Sequence, residues 1–422
     1  MTLNNQQGLT KEQVAACRAQ FPALTKTVNG HQAAFFDGPA GTQVPQMVID
    51  AIADYLIRCN ANHEGVFTTS RESDALLHDA HRAVADFLGV DDPDTIAFGP
   101  NMTTLTFGLS RALARTWNPG DEIVVTRMDH DANFTPWVSA AEDAGATVRI
   151  VEFCHEDCTL NLDDFESKIN DKTRLVAVGS ASNASGSVNP VKQIVQWAHQ
   201  HNAQVFVDAV HLAPHRLLDV KEYGCDFLAC SAYKFFGPHI GILWGRRELL
   251  EELSAYKLRP AADDLPGKWM TGTQNHECIA GTMAGVNYLA DLGRRVTGNA
   301  ELGRRAALQA SMSAIGQYEN QLALQLLDAL AEMPAVKVWG ITDPSQLDQR
   351  VPTFSITHDR IAPEPLAKLL DEHGIFVWNG NYYALNFSTA LGHEPQGMVR
   401  IGFVHYNTTE EVQRLIDVLR SC

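Results

Sequence analysis

Between residues 95 and 245 short apolar runs alternate with amphipathic stretches, and this alternation narrows the possible folds more than any other feature of the chain. Seven runs read as strands: Thr95–Phe98, Glu122–Arg127, Thr147–Phe153, Arg174–Gly179, Gln204–Asp208, Asp226–Ser231 and Gly241–Trp244. Segments such as Thr104–Thr116, Trp137–Ala144 and Val191–His201 carry helical periodicity between them. Continuously apolar strands linked by helices imply an α/β domain whose largely parallel sheet is covered on both faces. After about residue 245 the pattern changes. Residues 283–333 read as mostly helical, including Gln317–Glu332. Strands are expected at Val336–Trp339, Thr353–Thr357, Ile375–Trp378 and Met398–Gly402, with helices at Pro363–His373 and Thr409–Leu419. This predicts a smaller α+β domain, completed by an N-terminal helix at Lys11–Gln20. The expected division is 30–298 for the large domain and 1–29 plus 299–422 for the small one.

A net charge of −17, from 33 basic and 50 acidic residues, argues against nucleic acid or an anionic membrane as partner. The first residues, Met1-Thr-Leu-Asn-Asn-Gln-Gln-Gly8, lack the basic and apolar regions of a leader, and no apolar stretch is long enough to span a bilayer. A cytoplasmic protein is expected. Its eight cysteines have no framework-like spacing and read as free thiols. Cys154-His-Glu-Asp-Cys158 has no second ligand pair at metal-binding spacing, so it reads as a polar loop and no metal site is expected.

Two strand ends carry chemistry. Val205-Phe-Val-Asp208-Ala-Val-His211 places a carboxylate at the end of one apolar run. Phe227-Leu-Ala-Cys-Ser-Ala-Tyr-Lys234-Phe-Phe-Gly-Pro238 places an amine at the exit of the next. Ligands of such sheets collect beyond the carboxyl ends of the strands. A lysine able to form a Schiff base and an aspartate able to keep a pyridinium nitrogen protonated suit pyridoxal phosphate.

Four further elements bear on that reading. Phe98-Gly-Pro-Asn101-Met102-Thr103-Thr104 follows a strand and opens a helix, as a phosphate site does, although read alone it is equally an ordinary N-cap. Met128-Asp-His130 offers a histidine that could stack on a ring. Ala181-Ser-Asn183 offers an amide for a phenolate oxygen. Arg400, inside an apolar strand, reads on its own as a salt-bridged structural arginine or as a carboxylate anchor.

In this order the residues resemble the class V aminotransferase group of fold-type I pyridoxal phosphate enzymes, and most of all its cysteine desulfurase/selenocysteine lyase branch. The resemblance runs from Phe35-Phe-Asp-Gly-Pro-Ala-Gly-Thr-Gln-Val-Pro45 to Val399-Arg-Ile-Gly-Phe-Val-His-Tyr-Asn-Thr-Thr-Glu410. It implies an aspartate aminotransferase-like fold with a seven-stranded, mostly parallel large domain. It also implies that Lys234, Asp208 and His130 are catalytic. The cofactor would be held by these three and by Asn101, Met102, Thr103, Asn183, His211, Ser231, Tyr233 and Thr273, the last through a partner subunit of a homodimer with a shared site. Tyr233 stands where the branch usually has a phosphate-binding histidine. Arg400 would grip a substrate carboxylate, with Ala40, His63 and Tyr383 near the amino-acid substrate.

The pattern also departs from the branch. By motif, Tyr383 in Val377-Trp-Asn-Gly-Asn-Tyr-Tyr383-Ala-Leu takes the place of the mobile cysteine, and no cysteine lies between Cys278 and Cys422. A phenol cannot hold sulfur as a persulfide. His211, commonly glutamine in desulfurases, and Glu64, commonly arginine, are further departures. The expected reaction is therefore Cα deprotonation by Lys234 followed by β-elimination or epimerisation. The alternatives are a true cysteine desulfurase using another cysteine, or a non-catalytic α/β binding protein. A dinucleotide-binding version of the latter lacks the Gly-x-Gly-x-x-Gly fingerprint.

Overall fold

All seven expected strands form, and they form one sheet. They are β1 (Ile96–Gly99), β2 (Glu122–Thr126), β3 (Thr147–Val151), β4 (Thr173–Gly179), β5 (Gln204–Asp208), β6 (Phe227–Ser231) and β7 (Gly241–Gly245), in the order β1-β7-β6-β5-β4-β2-β3. The structure, a computed structural model, describes residues 8–422, so the expectation about a leader at the extreme N-terminus lies outside the described residues. Only β7 runs against the others in this sheet, wedged between β1 and β6. The carboxyl ends of β1, β6, β5, β4 and β2 consequently emerge side by side.

Successive strand residues feed opposite faces. Val205 and Val207 enter one apolar core and Phe206 the other, and both faces are fully buried. Helices Met102–Ala114 and Thr135–Ala144 cover the second face through Leu105, Leu109, Leu113 and Trp137. The first face continues without a break into helices His276–Thr297 and Arg304–Ala331 and on to the C-terminal sheet. That sheet contains β8 (Val336–Trp339), β9 (Thr353–His358), β10 (Trp378–Gly380) and β11 (Met398–Gly402), antiparallel in the order β8-β9-β11-β10.

The expected strand Ile375–Trp378 is two pieces. Ile375–Phe376 pairs in parallel with Ala34–Phe35, and the chain then changes partner at Val377 so that β10 pairs with β11. Helices Gln46–Arg58 and Thr68–Leu88 lie ahead of the alternating region and were not expected. Thr408 and Glu411 form a reciprocal capping box on the helix Thr409–Arg420, as the Thr-Thr-Glu-Glu run implies. Arg18, ending the helix Lys11–Arg18, reaches Glu411 at 2.8 Å and ties the first helix to the last. Residues around Cys154 and Cys158 make a small hairpin, with Cys154 exposed and Cys158 buried.

Gly241, at the start of β7, lies against the Asn101 turn so closely that a Cβ would fall 2.3 Å from the Asn101 carbonyl carbon. Gly241→Ala should destabilise the protein by about 1–3 kcal/mol through overpacking. The loss would be read from the urea midpoint, and it should be accompanied by weaker binding of any ligand at the Asn101–Thr103 turn.

Candidate active site

Five strand ends converge on one cavity of about 70 Å³, lined by Asn101, Met102, Thr103, Asp129, His130, Asn183, Asp208, His211, Ser231, Tyr233 and Lys234 among others. A second, wider cavity of about 520 Å³ shares Thr103, His130, Asn183, Tyr233 and Lys234, and adds Ala40, Tyr383 and Arg400. Apart from Asp129, every residue named at the inner cavity is an expected one, and Ala40, Tyr383 and Arg400 join them on the outer side. Thr273 and His63 do not. Thr273 is exposed on the wall of a separate cavity, and exposed His63 lies beside His276 with ring centroids 5.9 Å apart.

Lys234 ends a short 3₁₀ turn that follows β6, and it is 8% exposed. Its Nζ donates to the carbonyls of Pro39 and Ala40, the latter at 3.0 Å. Burial, reinforced by the Arg400 guanidinium and opposed by Asp208, lowers its pKa to about 7. At a pKa of about 7 a large share of the amine is unprotonated near neutral pH, as a nucleophile or base requires.

Asp208 closes β5 directly beside β6, and its Oδ1 accepts from the Val210 N–H at 2.9 Å. Burial raises its pKa to about 6, against the pull of that N–H and of Lys234. Asp129 lies next to it, with its carboxylate accepting from the Thr126 hydroxyl at 2.9 Å and the Gly179 N–H at 2.7 Å. Burial, and then the neighbouring Asp208, push Asp129 up to about 8. Two buried carboxyls this close resist sharing two negative charges.

His130 caps the 3₁₀ turn Asp131–Asn133, its Nδ1 accepting from the Ala132 N–H at 3.0 Å. Burial, then Lys234 and Arg400, lower its pKa to about 3, so the ring is neutral with its proton on Nε2. His211 is buried, its Nε2 3.0 Å from the Thr353 hydroxyl, and burial holds it neutral as well. At the helix-opening turn, Asn101 accepts from the Thr104 N–H at 2.8 Å, and the Met102 N–H donates to Ser231 Oγ at 3.2 Å. This gives the backbone donors and hydroxyls that a phosphate needs. Tyr233 stacks on His239 at 5.1 Å, and the Lys234 amine lies 5.0 Å from the Tyr233 ring centroid.

Arg400 enters from β11. Its Nη1 donates to the Asn183 carbonyl at 3.0 Å and its guanidinium lies 4.4 Å from the Tyr382 ring centroid. Asn183 spends its amide N–H on the Tyr382 carbonyl at 3.0 Å, leaving its buried Oδ1 without a partner. Tyr382 and Tyr383 both have left-handed backbones, with φ of 54° and 60°. Such conformations cost about 1–3 kcal/mol each and occur where surrounding contacts enforce them. Here the Asp131 N–H donates to the Tyr383 carbonyl at 2.7 Å, and the Tyr383 ring stacks on His130 at 5.4 Å.

Asp37 and Asp129 were not anticipated as site residues. Asp37 sits in the loop that meets Lys234, with a buried Oδ1 lacking a partner and a pKa raised by burial to about 6. Asp129 does adjoin His130 in sequence, and an acidic residue just past an apolar strand was the available signal. Among the described residues no cluster of three His, Cys, Asp or Glu could hold a metal.

A doubly covered parallel sheet presenting a desolvated lysine, an aspartate, a ring histidine and a phosphate-type turn at adjacent strand ends defines a pyridoxal phosphate enzyme of fold type I. The residues fit that group: the buried Asn183 Oδ1 awaits a partner, and Gly241 leaves the Asn101 turn just enough room. The aminotransferase class-V family model matches residues 34–415, and the chain belongs to that family, as a cysteine desulfurase-like, pyridoxal phosphate-dependent enzyme. A probable cysteine desulfurase of Halalkalibacterium halodurans is 32% identical, covering 94% of each chain. The apo structure of a cysteine desulfurase from Thermococcus onnurineus superposes with a TM-score of 0.85 at 26% identity, covering 99% of both chains. An Escherichia coli cysteine desulfurase, CsdA in its S-sulfonic acid form, gives 0.81 at 26% identity, covering 97% of this chain and 98% of its own.

The depressed pKa of Lys234 makes a prediction about the protein without cofactor. A lysine at about 7 when folded and 10.5 when unfolded burdens the fold fully below pH 7, and the burden fades as pH rises toward 10.5. Lys234→Met should therefore raise the urea midpoint of the cofactor-free protein, more at pH 6 than at pH 9. An advantage larger at pH 9 would contradict this assignment.

Proposed function

We propose that the enzyme removes the α-proton of an amino acid with Lys234 and directs the result to β-elimination or epimerisation. The supporting observation is a desolvated Lys234 that lines two adjoining cavities, the inner one with Asp208 from the neighbouring strand end and the outer one with Arg400. Bound pyridoxal phosphate supplies an electron sink for the pair left at Cα. Lys234 would hold the cofactor through its amine, and the same amine would serve as the base at Cα. Asp208 would be the ionised partner of the ring nitrogen, while Asp129, raised by burial and then by its neighbour, would keep a proton and avoid a second charge. His130 is neutral and offers a flat face to the ring. Asn183 and His211 would serve the phenolic oxygen, and Asn101, Met102, Thr103, Ser231 and Tyr233 would hold the phosphate. Arg400 pairs with the substrate carboxylate, which fixes the Cα–H bond near the Lys234 amine.

Persulfide transfer ranks lower. No cysteine lines either cavity among the described residues, and Cys278 lies on the helix His276–Thr297 with a thiol raised by burial. We further infer a homodimer in which the partner supplies Thr273 and His63, because each sits away from its own Lys234. The reading also takes residues 30–298 and 1–29 plus 299–422 as the two domains. A cytoplasmic location is proposed; no helix of the described residues is long and apolar enough to cross a membrane.

Protein purified with pyridoxal phosphate should be yellow. Borohydride should fix the cofactor to the peptide carrying Lys234, and Lys234→Ala should abolish that fixation. A colourless protein that takes up no cofactor would refute the enzyme reading. With L-cysteine as substrate, sulfide should form without a protein-bound persulfide. A persulfide lost in Cys278→Ser would instead establish true desulfuration.

A further inference from the structure

The outer cavity beside Lys234 would receive the substrate next to the cofactor, and the character of its wall bears on which side chain fits there. Its volume of about 520 Å³ falls within the range of pockets that enclose whole small molecules. Aromatic side chains line it: Phe107, Tyr233, Trp378, Tyr382 and Tyr383. In the single chain Trp378 is 52% exposed and Tyr383 71%, so both rings are available for contact. Tyr383 is also held there at a cost, through the consecutive left-handed residues and the bonds from Asn183 and Asp131 described above. A segment free to relax would not keep two tyrosines in that conformation.

From this geometry we infer that the substrate is an α-amino acid with a large, flat, aromatic side chain, received between Trp378, Tyr383 and Phe107 while Arg400 takes its carboxylate. The inference rests on the amino-acid chemistry proposed above and adds the substrate class. Planar rings meet planar rings in offset or edge-on contact, and their burial in an aromatic cleft adds to simple area removal. Among the described residues Asp131 is the one carboxylate on the wall, with its Oδ2 accepting from the Thr135 hydroxyl at 2.9 Å. A side chain bearing a second carboxylate would meet repulsion at that end, whereas an N–H or O–H on a ring would find an acceptor.

The test is an equilibrium titration of the holoenzyme, followed by the visible spectrum of its bound cofactor. L-phenylalanine, L-tryptophan, L-alanine, L-serine and L-glutamate would be compared, serine standing in for cysteine without a thiol to trap the cofactor aldehyde. The aromatic amino acids should bind about tenfold or more tightly than alanine and serine, the scale of burying one ring, with glutamate weakest. Trp378→Ala and Tyr383→Ala should each collapse that ratio toward one. Alanine or serine binding as tightly as phenylalanine overturns the inference, as does an aromatic preference that survives both substitutions. Failure to take up pyridoxal phosphate at all would refute the underlying reading and this one together. Cofactor uptake with a preference for small side chains would refute only this one.

Discussion

A primary amine taken out of water at the end of β6, with a carboxylate on one side and a guanidinium on the other, is the constraint around which this molecule is arranged. Desolvation favours the neutral amine, and Arg400 adds to that preference while Asp208 resists it. Keeping such a group buried requires acceptors, and the loop after Phe36 supplies two backbone carbonyls. It also requires β5 and β6 to be adjacent and parallel, so that Asp208 and Lys234 emerge at the same edge. The wedge of antiparallel β7 then brings β1, and with it the Asn101 turn, within reach of Ser231.

The two sheets meet through polar contacts made largely by backbone carbonyls. Arg400 donates to the Asn183 carbonyl, and Asn183 donates to that of Tyr382. The fully buried Arg350 bridges to Ser187 and donates to the Ser185 carbonyl at 3.5 Å, while it also holds the carbonyls of Ile341 and Thr353 on its own side. Gly186 adopts a left-handed φ of 79° there, and a Cβ at that position would come within 2.5 Å of the Thr353 carbonyl oxygen. A backbone approach this close leaves the Ala181–Gly186 loop little freedom, and the position of Asn183 follows from it.

Much of this arrangement is legible in the amino-acid sequence. The inner strands of the large sheet are largely apolar because both faces are covered, and edge strand β3 alternates exposed Thr147 and Arg149 with less exposed neighbours. The strand positions therefore stand out to within a residue or two. Lys234, Asp208, His130 and the Asn101 turn can be ordered because each directly follows such a strand. Partner choice is not legible. Val377 looks like the middle of one strand, yet the chain leaves Ala34–Phe35 and joins β11 at that point, a change set by tertiary contacts. Helices Gln46–Arg58 and Thr68–Leu88 precede the alternating region, where no neighbouring strands frame them, and their amphipathic faces alone did not mark them out. The strain at Tyr382 and Tyr383 has no signal either, since left-handed backbone is usually announced by glycine or asparagine. The separation of His63 from Lys234 is a property of three-dimensional distance, which motif order does not carry.

The position of β7 also has a bearing on how the chain assembles. β1 is made early in the sequence but pairs only with β7, which follows the other strands of its sheet and is flanked by β6 on its other edge. Until residues 241–245 arrive, β1 has no neighbour in the sheet and nothing holds the Asn101 turn beside Ser231. A contact that spans so much chain forms late, because the entropy of closing the loop must be met before the pairing rewards it. The Asn101 turn is thus among the last parts of the large sheet to be fixed in place. A growing chain exposes its lysine before it can grasp a cofactor, and a firmly held cofactor marks a sheet that has finished folding.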